Sequence, residues 1–170
     1  MNVKEMRVFF MGFNWQKEVE LRKDALIADT QKLLQIKSTL DEAAATPEVP
    51  FGPGIKEALD YMLHLGEKDG FKTKNVDNYG AHLEMGNGEE LLGILGHLDV
   101  VPEGEGWTSD PYSAEIRDGK IFARGALDDK GPTMAAYYAM KIIKDLGVDL
   151  NKRVRLILGT DEESDWRCMD

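Results

Sequence analysis

Cysteine is almost absent. Cys168 is the single one in 170 residues, so no disulfide can close within the chain and no thiolate cluster can hold a metal. That scarcity suits a reducing cytoplasm. Basic charge is also short, with 21 Lys and Arg against 31 Asp and Glu and a formal net charge of −10. A chain so acidic lacks the positive surface that nucleic-acid phosphates demand, and it has little to offer anionic lipid. The apolar run Met6–Phe13 is too brief to span a bilayer, and no small-residue cleavage site accompanies it. Residues 1–14 are read as a leader without clear ordered structure. Neither internal repeats nor low-complexity tracts are visible. What remains is 42% hydrophobic and 31% charged, the profile of a globular domain with one core.

Periodicity divides that domain into elements. From Trp15 to Ile36, apolar residues such as Val19, Leu26, Leu33 and Leu34 recur at helical spacing, predicting an amphipathic helix. Residues 38–53 are rich in small residues, Pro and acid, and read as a loop. A second helix follows Gly54 and ends near Gly70. Strand-like segments come next at Phe71–Val76, Ala81–Met85 and Leu91–Leu98, the last so apolar that burial on both faces is expected. Asp118-Gly119 joins a hairpin, a helix is predicted over Lys130–Leu146, and Arg153–Gly159 is another buried strand. This alternation predicts an α/β fold: a three-layer α/β/α domain with a mostly parallel, mixed sheet. The sequence stops straight after a strand and an acidic loop, where a covering helix is expected, so the domain reads as truncated.

Three short motifs lie where predicted strands end, the place at which open α/β sheets gather ligand-binding residues. In His97-Leu98-Asp99, the imidazole can ligate a metal through one nitrogen while a carboxylate holds the proton of the other. In Arg124-Gly125-Ala126-Leu127-Asp128-Asp129-Lys130-Gly131-Pro132, one carboxylate can ligate, although an aspartate before a helix is also a routine N-cap. In Gly159-Thr160-Asp161-Glu162-Glu163-Ser164, one glutamate can ligate while its neighbour handles a proton; a solvated acidic loop is the plainer reading. The first and third motifs are weak alone, and the second is moderately specific. Together they supply His, Asp and Glu donors of the kind zinc accepts.

HLDVVP, ARGALDDKGP and GTDEES resemble the dinuclear zinc exopeptidase superfamily of aminoacylases, acetylornithine deacetylases and carboxypeptidase G. FGPGIKEALDYM, GWTSDPYSAEIRDGKIFARG and EESDWRCMD are most similar to its V-type, carnosinase-like dipeptidase branch. The resemblance covers residues 15–170, which would form the N-terminal part of the catalytic domain. It implies metal ligation by His97, Asp128 and Glu163, with Asp128 bridging two zinc ions, for which manganese or cobalt can substitute. It implies Glu162 as general base, Asp99 as the support of His97, and a cis Asp128–Asp129 peptide bond. The reaction implied is hydrolysis of dipeptides by a metal-activated water.

The family also requires a further acidic ligand, a distal histidine and a lid domain, and none of these matches a segment here. His64 and His82 fit no ligand motif, and Asp170 sits in a context, DWRCMD, that the family places ahead of the missing acid. The 170-residue chain alone is therefore expected to be inactive or nearly so. Deacylation of N-acyl-amino acids, carboxypeptidase activity, or a non-catalytic metal- or partner-binding role are the alternatives. Gly125 and Gly131 are assigned to turn geometry, and Trp107 either borders the pocket or packs.

Overall fold

The structure, a computed structural model, describes residues 12–169; most of the leader and Asp170 lie outside them. Helix α1 spans Trp15–Gln35, with the Asn14 side chain accepting the Lys17 amide N–H at 3.0 Å as N-cap. Helix α2, Pro53–Lys68, opens with proline in its first turn, where the missing N–H costs nothing. Strands β1 (Lys72–Val76), β2 (Gly80–Gly86) and β3 (Leu91–His97) follow. A small ribbon, β4 (Glu115–Arg117) and β5 (Lys120–Phe122), then leads into α3 (Lys130–Asp145) and β6 (Arg153–Gly159). Among the described residues no helix is long and apolar enough to cross a membrane.

The main sheet is mixed, in the order β1-β2-β6-β3. The parallel majority expected from the sequence is not what pairs: β1/β2 and β2/β6 are antiparallel, and β3/β6 alone is parallel. The reason lies in connection length. The turn between β1 and β2 is short enough to reverse the chain directly, whereas β3 reaches β6 only through α3, the long crossover that parallel pairing needs. In register, Ala81, Leu83 and Met85 of β2 lie opposite Leu158, Leu156 and Val154 of β6. Strand periodicity puts these on one face. That face packs with Leu33 of α1, Leu59 and Met62 of α2, and Met134 and Tyr137 of α3 into one apolar core. The described residues thus form two layers, the sheet and one bank of helices.

Two expectations of burial are corrected. Strand β3 is not enclosed on both sides: it occupies an edge of the sheet, and Leu91, Leu92 and Leu95 are 42%, 55% and 56% exposed. In α1, Val19 and Leu21 are exposed, and burial is confined to Thr30, Leu33 and Leu34 near its end. The early turns instead reach the far end of α3 through charge, with Arg22 Nε 3.3 Å from Asp145 Oδ2.

Candidate metal centre

Because β3 and β6 run parallel with His97 opposite Gly159, their carboxyl ends finish side by side. His97 is the last residue of β3, and the chain beyond β6 turns through residues 160–165, bringing both Glu162 and Glu163 round towards the imidazole. Asp128 arrives differently. It does not close a strand of the main sheet; it sits in the loop from the β4–β5 ribbon, just ahead of α3. Two glycines make that loop possible. Gly125 has φ of +84°, and a Cβ on Gly131 would lie 2.1 Å from the Ala126 carbonyl oxygen, a contact no other residue could accommodate. The Asp128–Asp129 peptide bond is cis.

The five residues singled out from the sequence meet in one place. His97, Asp128 and Glu163 could hold a metal ion: each offers one potential donor atom, and these atoms all lie within 4.8 Å of one another. His97 Nε2 is 3.1 Å from Asp128 Oδ1 and 3.7 Å from Glu162 Oε2. On the other side of the ring, Nδ1 is 3.0 Å from the Asp99 carbonyl oxygen and 3.4 Å from its carboxylate. The Nδ1 proton is therefore held mainly by the Asp99 backbone, with the carboxylate adding charge nearby, and Nε2 is left facing Asp128 and the glutamates. Asp99 is itself fixed, since its Oδ2 accepts the Glu163 backbone N–H at 2.9 Å. One aspartate thus orients both the imidazole and the glutamate turn.

Electrostatics favour a cation here. Burial opposes a charged imidazole, but Asp99 and Asp128 outweigh it and push His97 up to about 9. Glu163 is raised, by burial and then by the Asp128 charge with Glu162 and Asp99 behind it. Asp99 is lowered: burial works against this, but the His97 contact and backbone N–H donors prevail. The neighbouring negative charge that raises Glu163, beside a single imidazole, is the kind that a divalent ion relieves. The donor set of one nitrogen and two carboxylate oxygens fits zinc, and the orienting bond on His97 Nδ1 is what a ligating histidine needs. A cavity of about 170 Å³ opens beside the cluster, lined by Leu95, Gly96, His97, Glu162, Trp166 and Met169 among others.

Several contributors were not legible as functional in the sequence. Asp129 occupies the N-cap position of α3, yet its carboxylate makes no capping bond. Its Oδ2 accepts the His97 N–H at 3.2 Å and the Thr133 hydroxyl at 3.0 Å, tying the end of β3 to α3. Asp161, only 1% exposed, accepts the Arg167 guanidinium at 2.8 and 3.1 Å and so closes the glutamate turn. Lys130 is buried, and burial pulls its ammonium down to about 7. The signal for these was present only as their place inside the motifs, beside the residues singled out. Trp107 packs under Arg124 and donates to the Glu103 carbonyl oxygen at 2.7 Å; it does not line the cavity beside His97.

Residues 93–168 match the model of peptidase family M20/M25/M40. The chain is 59% identical over 157 residues to the Bacillus subtilis protein named "Putative dipeptidase YtjP", covering 92% of this chain and 34% of that one. Among solved structures, the Sulfolobus solfataricus M20 family metallo-carboxypeptidase is 31% identical with a TM-score of 0.65, over 81% of this chain and 31% of the other. Human carnosine dipeptidase 1 is 24% identical with a TM-score of 0.77, over 90% of this chain and 35% of its own, and shares the fold. The chain spans about a third of the length of the curated relatives it matches.

Proposed function

We propose that residues 15–170 form the N-terminal part of the catalytic domain of a zinc-dependent peptidase that hydrolyses dipeptides in the cytoplasm. The observation that carries this reading is the convergence of His97, Asp128 and Glu163 within 4.8 Å, with Glu162 beside them. The dipeptide substrate is suggested by the names of the relatives.

In this reading His97, Asp128 and Glu163 would hold the metal, and Asp128 would be the carboxylate shared if a second ion completed the site. A bound divalent ion supplies Lewis acidity, bringing the pKa of a water towards neutrality and polarising the scissile carbonyl. The chain's own residues do the rest. Glu162 stands 3.7 Å from His97 Nε2 with its side chain 37% exposed, close enough to the donors to take a proton from a water there and open enough to meet substrate. It accepts that proton as the water attacks and returns it to the leaving amine nitrogen. Asp99 holds the His97 proton on Nδ1 and keeps Nε2 free to ligate.

The test is hydrolysis by the protein as its cells make it, comparing alanyl dipeptides with N-acetyl amino acids before and after chelation. Chelator-sensitive cleavage of the dipeptides is expected; preference for the N-acetyl substrates would move the reading to a deacylase. Glu162→Gln is expected to lower turnover by at least about 100-fold while zinc content stays near that of the parent. Near-normal turnover in that variant would remove Glu162 from the role of base. Carboxypeptidase activity is the second reading, favoured by the 31% identical metallo-carboxypeptidase, and longer peptides trimmed from the carboxyl end would reveal it.

A further inference from the structure

Lys130 lies two residues beyond Asp128 and is wholly buried, yet it forms no salt bridge among the described residues. Its ammonium donates instead to two carbonyl oxygens at the end of α1, Leu33 at 3.1 Å and Ile36 at 2.7 Å. A cation suits the negative end of a helix, and the two carbonyl bonds offset part of the cost of burying an ammonium without a counter-charge. Its stem passes Gly125, where an added Cβ would come within 3.2 Å of Lys130 Cδ and 3.0 Å of Val100 Cγ1.

The same stretch of chain grips the other side of the centre. Ser38, also fully buried, donates its hydroxyl to the Leu98 carbonyl oxygen at 2.6 Å, and its own carbonyl oxygen accepts the Val100 N–H at 3.0 Å. Those bonds flank Asp99, the residue that orients His97. Leu33–Ser38 therefore touches the Asp128 loop through Lys130 and the His97 loop through Ser38, and neither of these side chains is a metal donor.

We propose that Leu33–Ser38 is a brace that sets the spacing between Asp128 and His97, and that Lys130 and Ser38 are positioning residues for the metal centre. This rests on the proposed reading of His97, Asp128 and Glu163 as ligands.

The experiment compares the chain with Lys130→Met, Ser38→Ala and the double variant. It measures zinc affinity by competition with a chromophoric chelator, the visible spectrum of the cobalt-loaded protein, and the unfolding midpoint. Lys130→Met keeps the apolar stem and deletes the donor. The expected result is a 10- to 100-fold loss of zinc affinity, the scale seen when partners of ligating residues are removed, with an altered cobalt spectrum. Ser38→Ala is expected to move both in the same direction by less, and the double variant to lose less than the two effects combined, because one brace is broken twice. A merely structural role would lower the unfolding midpoint and leave the affinity and spectrum of folded protein at parental values; that outcome overturns the proposal. Should Lys130→Met fail to fold, Ser38→Ala decides alone, and parental affinity and spectrum there overturn it. If the parent binds neither zinc nor cobalt, the ligand reading itself fails and the brace falls with it; if the parent binds and the variants match it, the brace alone is wrong.

Discussion

Asp99 shows how much one residue carries in this centre. Its carbonyl oxygen faces His97 Nδ1 at 3.0 Å, its Oδ1 stands 3.4 Å from the same nitrogen, and its Oδ2 accepts the Glu163 N–H. Oδ1 is buried and has no hydrogen-bond partner, an arrangement that leaves a negative charge aimed at the imidazole. Asp99→Asn removes that charge and preserves the shape and the backbone contact. We expect zinc affinity to fall about 10-fold, towards the lower end of what removing a ligand's partner costs, because the carbonyl still holds the ring. Isothermal titration of the variant with zinc would measure it. An unchanged affinity would mean that the Asp99 backbone alone orients His97.

The elements are held to one another by polar ties as well as by the apolar core. Asp69, the C-cap of α2, accepts the Tyr137 hydroxyl and lies 3.0 Å from Lys141 Nζ, both on α3. Burial alone would raise its carboxyl, but those two partners prevail and its pKa is lowered. A carboxylate lowered on folding contributes stability that is present in full above its unfolded value, near 4, and is lost as pH falls through the lower folded value. Asp69→Asn is therefore expected to cost about 1–2 kcal/mol at pH 7 by urea unfolding, with the gap from the parent closing below about pH 4. A gap independent of pH would show that the tie is not ionic. Such ties also mark where sequence reading stops. The helices and β2 and β6 were legible because their apolar residues repeat at 3.6 or 2 positions, and the three motifs were legible because each packs donors into a few consecutive residues. The edge position of β3 was not, since an apolar run reports the capacity to be buried and not the neighbours that supply burial. Asp69–Tyr137, Lys130–Leu33 and Ser38–Leu98 join residues some 60 to 100 positions apart, and no local pattern encodes such pairs.

At the scale of the whole molecule, the fold delivers the ends of two parallel strands and the start of one helix to a single point. Zinc binding should then be coupled to folding, because His97, Asp128 and Glu163 are brought together only when β3, α3 and β6 are in place. Free zinc at about 100 times its dissociation constant would stabilise the folded chain by roughly 2.7 kcal/mol. For a chain of this size that corresponds to a rise of about 5–10 °C in the unfolding midpoint. The three donors converge on one location, so this chain is expected to take up one zinc, against two in the complete site that the resemblance implies. Addition of a chelator should return the midpoint to its starting value, and His97→Ala should abolish the rise. Magnesium should not reproduce it, since that ion prefers an octahedral oxygen shell and retains its waters. Calorimetric scans with zinc, with magnesium and with chelator measure all of this. A midpoint indifferent to zinc would mean that the acidic cluster is a solvated surface with a histidine in it, and the peptidase reading would then rest on resemblance alone.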